Sequence, residues 1–206
     1  MARNNNPYEH QMIAHAVNNE DDGQTGGAHG DQRGYELVAC KWYKYKEGWT
    51  DVFRPKSSDK AEGIAQFMED AVANGCIGYN QNRSRRKEFF DCVVNEKNLD
   101  VTRVDHNHST DCCGLVYTAV YSQYLIPAVD VGEDKSGNDL FGIPTTDKIT
   151  KYLMEDVGDF YHYPSDNTSD YAPGWEKLTP EKILDGWEHL ERGDILLAEG
   201  HVAVWI

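Results

Sequence analysis

The sequence predicts an α+β fold, and three observations carry that prediction. Apolar residues recur at helical spacing in several segments between 58 and 154, whereas 35–43, 50–54, 195–197 and 201–206 read as strands by alternation or by β-branched content. The chain has 206 residues, enough for one good core, or one core with an appended part, but hardly for two full domains. It is therefore read as a single unit over 1–206, with a helical and hairpin part over 1–100 and the chemistry-bearing core over 101–206.

Taken in order, Pro7 to Val17 carries Met12, Ile13, Ala16 and Val17 at helical spacing and predicts a short first helix. Residues 18–33 are rich in Asn, Asp, Gly and Gln and predict a loop. Tyr35–Tyr43 reads as a strand, with Thr50–Arg54 as its hairpin partner across 44–49. Ser58 suits the N-cap of a helix whose apolar side is Ala61, Ile64, Phe67, Met68, Ala71 and Val72. A further helix over 84–96 presents Phe89, Phe90, Val93 and Val94, and another runs from Cys112 to about Leu125, stopped before Pro127. After an irregular Gly-rich stretch over 130–145, Thr146 is placed to cap a helix through Ile149, Leu153 and Met154. Residues 164–173 form a loop, and the last two segments are strands.

Composition narrows the function. Hydrophobic residues make up 39% and charged ones 27%, with a mean hydropathy of −0.69, as expected of a polar globular protein. No run approaches the roughly 20 apolar residues of a membrane span. The N-terminus has no apolar signal region, so synthesis in a host cytoplasm without a signal peptide is expected. A net charge of −15 repels a phosphate backbone, which argues against nucleic acid as a partner. The five cysteines are an odd count in a chain without a secretory leader, so a disulfide framework is not expected; Cys40, Cys76 and Cys92 read as buried thiols.

Cys112 and Cys113 read differently. Cys112 follows the acidic Asp111 and opens an apolar helical run, Gly114-Leu115-Val116, where backbone N–H groups and the helix dipole favour a thiolate. His201 begins the β-branched run Val202-Ala203-Val204, from which it can serve as a base to a distant thiol. Each half is weak alone, since a helix-start cysteine or a strand histidine is more often structural. Two histidines, His106 and His108, lie close to Cys112 and Cys113 and offer a competing zinc site built on His106, His108 and Cys112. That spacing is uncommon, and no metal or cofactor is expected. The loop at 18–23 lacks an EF-hand pattern and reads as a solvated turn.

The string Asp111-Cys112-Cys113-Gly114-Leu115-Val116 resembles the first signature of NlpC-type cell-wall hydrolases, and Arg192-Gly193-Asp194-Ile195-Leu196 with Gly200-His201-Val202 resembles their second. Upstream, Gly26–Gln32, Trp42-Tyr43, Trp49, Phe53-Arg54-Pro55 and Ile77–Gln81 resemble the catalytic region of phage peptidoglycan amidohydrolases. The resemblance implies a papain-like fold, with the nucleophile helix packed on a small antiparallel sheet and an N-terminal extension. It implies Cys112 as nucleophile toward a stem-peptide amide, His201 as base, and an oxyanion hole at the helix start. Asp111, Cys113, His29, Asp31 and Gln32 would lie at the oxyanion or substrate positions; for Asp31 and Gln32 a loop-capping role weighs about equally. Aromatics such as Trp42, Tyr43, Trp49 and Trp205 would form core or groove wall.

Two departures stand out. Cys113 replaces the usual serine after the nucleophile, and the residue that orients the histidine, normally on the next strand, is not found before the chain ends at Ile206. Truncation of a longer protein with a wall-binding module is one expectation from that ending. The implied partner is peptidoglycan, reached after release at lysis or from the virion. The bond is either N-acetylmuramoyl–L-alanine or γ-D-glutamyl to diamino acid. The competing class is a non-catalytic wall-binding or phage-tail domain.

Overall fold

A computed structural model describes residues 12–17, 36–46, 48–128, 143–163 and 170–206. In chain order the elements are β1 (Met12–Ala16), β2 (Leu37–Lys41), β3 (Asp51–Pro55), α1 (Ser58–Ala73), β4 (Ile77–Tyr79) and α2 (Arg83–Asp91). A π-helical turn, Cys92–Glu96, and a 3₁₀ turn, Val101–Arg103, lead to β5 (His108–Thr110) and α3 (Cys112–Tyr124). Then come α4 (Thr146–Lys151) with a π-helical continuation to Val157, β6 (Phe160–Tyr163), α5 (Pro180–Ile183), β7 (Ile195–Ala198) and β8 (His201–Trp205). Helices and a mainly antiparallel sheet make this an α+β fold.

Six strands form one sheet in the order β2-β1-β8-β7-β3-β6, every neighbouring pair antiparallel. A separate parallel pair, β4 with β5, lies outside it. Helices α1 and α3 pack together, and their apolar faces close a core with alternate residues of the sheet: Ile64, Phe67, Met68, Leu115, Val116 and Ala119 meet Phe53, Ile195, Val202 and Val204. A second core holds Ile13, Trp49, Val52, Trp175, Leu196, Ala203 and Trp205. Strand β8 thus gives alternate residues to each core and is buried throughout.

Three expectations change. Met12–Ala16 is a strand rather than part of a helix. Ile13, Ala14, His15 and Ala16 are all buried between β2 and β8, and a short run buried on both faces has no periodicity that separates it from a buried helix. The segment at 50–54 is a strand, but its partners are β6 and β7, while β2 pairs with β1; three strands intervene between the expected hairpin partners. Residue pattern fixes that a strand exists, whereas its neighbour depends on the whole sheet. Two caps also move by one position. Ser57, not Ser58, accepts from the Lys60 N–H, and Thr145, not Thr146, sits at the N-cap position of α4.

The Arg192-Gly193-Asp194 run is a joint in the scaffold. Gly193 has φ +91°, and an added Cβ would lie 2.4 Å from the Ala61 carbonyl oxygen, so α1 approaches the backbone as closely as a glycine permits. Asp194 is fully buried and accepts from Arg54 Nε at 2.8 Å and Nη2 at 2.7 Å on β3. Arg192 reaches the other way, to Glu62 and Glu69 of α1. The motif ties α1 and β3 to the start of β7 and thereby fixes the hairpin that presents His201.

Candidate active site

The site begins where β5 hands over to α3. Asp111 has extended backbone geometry and its Oδ1 accepts the Gly114 N–H at 2.7 Å, an N-cap that satisfies one donor of the first turn. Its Oδ2 meets Arg86 Nη1 of α2 at 3.0 Å. Burial outweighs that cation and pushes the Asp111 carboxyl up to about 6. Gly114 is required by space: a Cβ there would stand 2.3 Å from Thr110 Oγ1. The cap and this contact hold Cys112 at the first helical position.

Cys112 is 7% exposed, yet its thiol is held well below the ordinary range. The Cys113 thiol, which hydrogen-bonds to it, is the largest cause; a hydrogen bond and charge from His201 and the Val202 backbone add to it, against the opposing effect of burial. Cys113 is correspondingly pushed up by its bond to Cys112 and by burial, so it stays a neutral S–H that donates. The residue at the position where serine was expected is thus the buried neighbour of the Cys112 thiol.

His201, 5% exposed, is held on several sides. Tyr45 stacks on its ring with centroids 4.8 Å apart, and Trp49 lies at 6.0 Å. His15 Nδ1 lies 2.7 Å from His201 Nε2, which leaves His201 Nδ1 for the thiol. Burial, and then the nearby His201, lower His15 to about 3, so His15 is neutral at physiological pH. Its Nε2 lies 3.5 Å from Cys40 Sγ. A neutral His15 with its proton on Nε2 offers the Nδ1 lone pair to an imidazolium at His201. Tyr79 closes the site as a neutral phenol, pushed up to about 12 by burial and then by the Cys112 charge, with Gln81 donating to its hydroxyl at 2.8 Å.

The fold thus brings Cys112, Cys113 and His201 together. Asp111 adjoins them, but both its oxygens are engaged in the cap and with Arg86, which leaves a substrate ammonium no obvious place on it. His29, Asp31, Gln32 and the loop at 18–23 lie outside the described residues. His106 and His108 gather with Cys92 rather than with Cys112, so the zinc trio read from the sequence is corrected. Neighbouring positions in sequence mislead here because Cys112 enters α3 and turns toward His201, while the π-helical turn brings Cys92 up to β5. Sequence reading missed His15; its only signal is one polar residue in the apolar run Met12–Ala16.

The model of the endolysin-like domain matches residues 13–133, more than half of the chain. The chain belongs to the endolysin-like domain family. Membership marks an endolysin-type domain and points to cell-wall hydrolysis as its class of activity, with peptidoglycan as substrate. The matched span of this endolysin-like domain includes His15, Asp111, Cys112 and Cys113, while His201 follows it. Neither the curated proteins nor the solved structures give a match. Among the described residues, no helix is long and apolar enough to cross a membrane.

Proposed function

We propose that this endolysin-like domain hydrolyses an amide bond of the peptidoglycan stem by thiol catalysis, with Cys112 as nucleophile, His201 as general base and acid, and His15 as the residue that positions His201. The observation that carries the reading is the contact of His15 Nδ1 with His201 Nε2 at 2.7 Å, together with the Cys112 thiol that His201 holds down. Three side chains from β1, β8 and α3 meet in the order that orients a base and activates a nucleophile.

The Cys112 thiolate attacks the amide carbonyl carbon, and the oxyanion develops beside the N–H groups of the first turn of α3. The imidazolium of His201 gives its proton to the departing nitrogen as the C–N bond breaks, leaving a thioester on Cys112. His201 then takes a proton from water, and the hydroxide adds to the thioester. Collapse expels the Cys112 thiolate and frees the acyl half as a carboxylate, its proton passing to the released amine, so that the thiolate and the imidazolium of His201 are restored. The bond is either N-acetylmuramoyl–L-alanine or γ-D-glutamyl to diamino acid; the same steps serve both.

Purified Gram-positive walls digested with wild type and Cys112→Ala test this. Turbidity should fall with wild type and stay flat with Cys112→Ala, and new L-alanine amino termini would mark the amidase, other termini the endopeptidase. Hydrolysis that survives Cys112→Ala would overturn the thiol mechanism. Wall binding without hydrolysis by wild type would favour a non-catalytic module.

A further inference from the structure

Between the end of α2 and the start of β5, Cys92, His106 and His108 converge. One ligand atom from each lies within 4.8 Å of the others. Cys92 and His108 are buried and His106 is exposed. The three come from two pieces of chain: Cys92 opens the π-helical turn after α2, and the histidines lead into and begin β5. A π-helical turn widens the backbone locally and is a frequent feature of functional positions.

The orientation of the histidines is specific. His106 Nδ1 lies 2.8 Å from Asp105 Oδ1, so a proton on Nδ1 is held by the carboxylate and Nε2 keeps its lone pair. That Nε2 faces His108 Nε2 at 2.9 Å. A carboxylate behind one imidazole with its other nitrogen presented inward is the outer-shell arrangement of metal-bound histidine. Lys97 Nζ, 2.8 Å from the same Asp105 oxygen, anchors the carboxylate in turn.

We infer that Cys92, His106 and His108 form a site for a zinc-class divalent cation, completed by water on the exposed side of His106. Thiolate and imidazole together select a borderline-soft ion, and three protein ligands with one open position suit tetrahedral zinc. Around such an ion the ligand atoms would stand about 3.3–3.6 Å apart, from bond lengths of about 2.0–2.3 Å. The two imidazole nitrogens, 2.9 Å apart in a direct hydrogen bond, would part by about 0.4 Å and His108 Nε2 would give up its proton to bind the ion, while Cys92 Sγ, within 4.8 Å of both, would close in. The ion would bind the end of α2 to β5, whose last residue, Thr110, precedes Asp111 and Cys112. Its role is to fix the approach to the α3 N-terminus, and the inference does not depend on the hydrolase reading.

The test uses the full chain carrying Cys112→Ala, stripped of metal, because a thiolate at 112 would itself attract the probe. Cobalt(II) titration should give one equivalent of a tetrahedral spectrum with a sulfur-to-cobalt charge-transfer band, displaced by zinc. Adding Cys92→Ser should abolish the charge-transfer band. Adding His106→Ala, which changes an exposed side chain and leaves the fold intact by circular dichroism, should weaken cobalt binding roughly tenfold or more. Cys40→Ser should leave the cobalt spectrum and affinity unchanged. Absence of a charge-transfer band at excess cobalt, a band that persists in Cys92→Ser, or unchanged affinity in His106→Ala would overturn the site.

Discussion

His15 is the residue whose removal separates positioning from attack. It touches His201 and Cys40 rather than the thiol, and its neutral ring can only orient His201 and accept from its imidazolium. His15→Ala is expected to lower kcat by about 10²–10⁴-fold with little change in KM, and His15→Asn to recover part of the loss through a remaining acceptor, as measured by steady-state release of amino termini from soluble wall fragments. An unchanged kcat in His15→Ala would remove it from the relay. Cys112 and His201 were legible because each sits in a short local signature. His15 was not: it lies 186 positions from His201, and nothing in Met12–Ala16 distinguishes a positioning histidine from a buried one. The role of Cys113 was hidden for another reason, since its donor function depends on the ionised state of its neighbour.

At the scale of elements, the N-terminus of α3 couples the site to pH. The Asp111 carboxyl, about 6 in the fold against 3.8 ordinarily, binds its proton more tightly when folded. The stability it contributes is therefore complete below about pH 4 and lost as pH rises through about 6. Asp111→Asn keeps a capping oxygen but removes this titration. Urea unfolding from pH 4 to 7 should show wild type losing roughly 2–3 kcal/mol relative to Asp111→Asn, and parallel curves would contradict the shift. The joint at Gly193 gives a second expectation. Gly193→Ala must place a Cβ into the Ala61 backbone at positive φ, and should cost about 2 kcal/mol or more in thermal or urea unfolding, whereas the exposed Gly75→Ala should cost far less. Helices α1, α2 and α3 were legible from their apolar spacing. Strand β1 and the partners of β3 were not, because burial on both faces and sheet order arise only when distant segments meet.

For the whole molecule, the sheet order is what assembles the chemistry. Strand β1 lies beside β8, with Ile13 opposite Trp205 and Ala14 opposite Val204, so the N-terminal strand brings His15 to the histidine strand while α3 delivers Cys112. In the proposed mechanism the residue that orients His201 comes from the neighbouring strand β1, through the 2.7 Å contact of His15 Nδ1 with His201 Nε2. Activation of Cys112 is thus a property of the closed fold rather than of either signature. The most direct measurement is the rate of iodoacetamide labelling at Cys112 as a function of pH, mapped by mass spectrometry, in wild type and in His201→Ala. In wild type, labelling should already be near its full rate well below the ordinary thiol range of about 8.5, and in His201→Ala the profile should move up toward that range. A wild-type rate that rises only near 8.5, unmoved by His201→Ala, would contradict an activated Cys112.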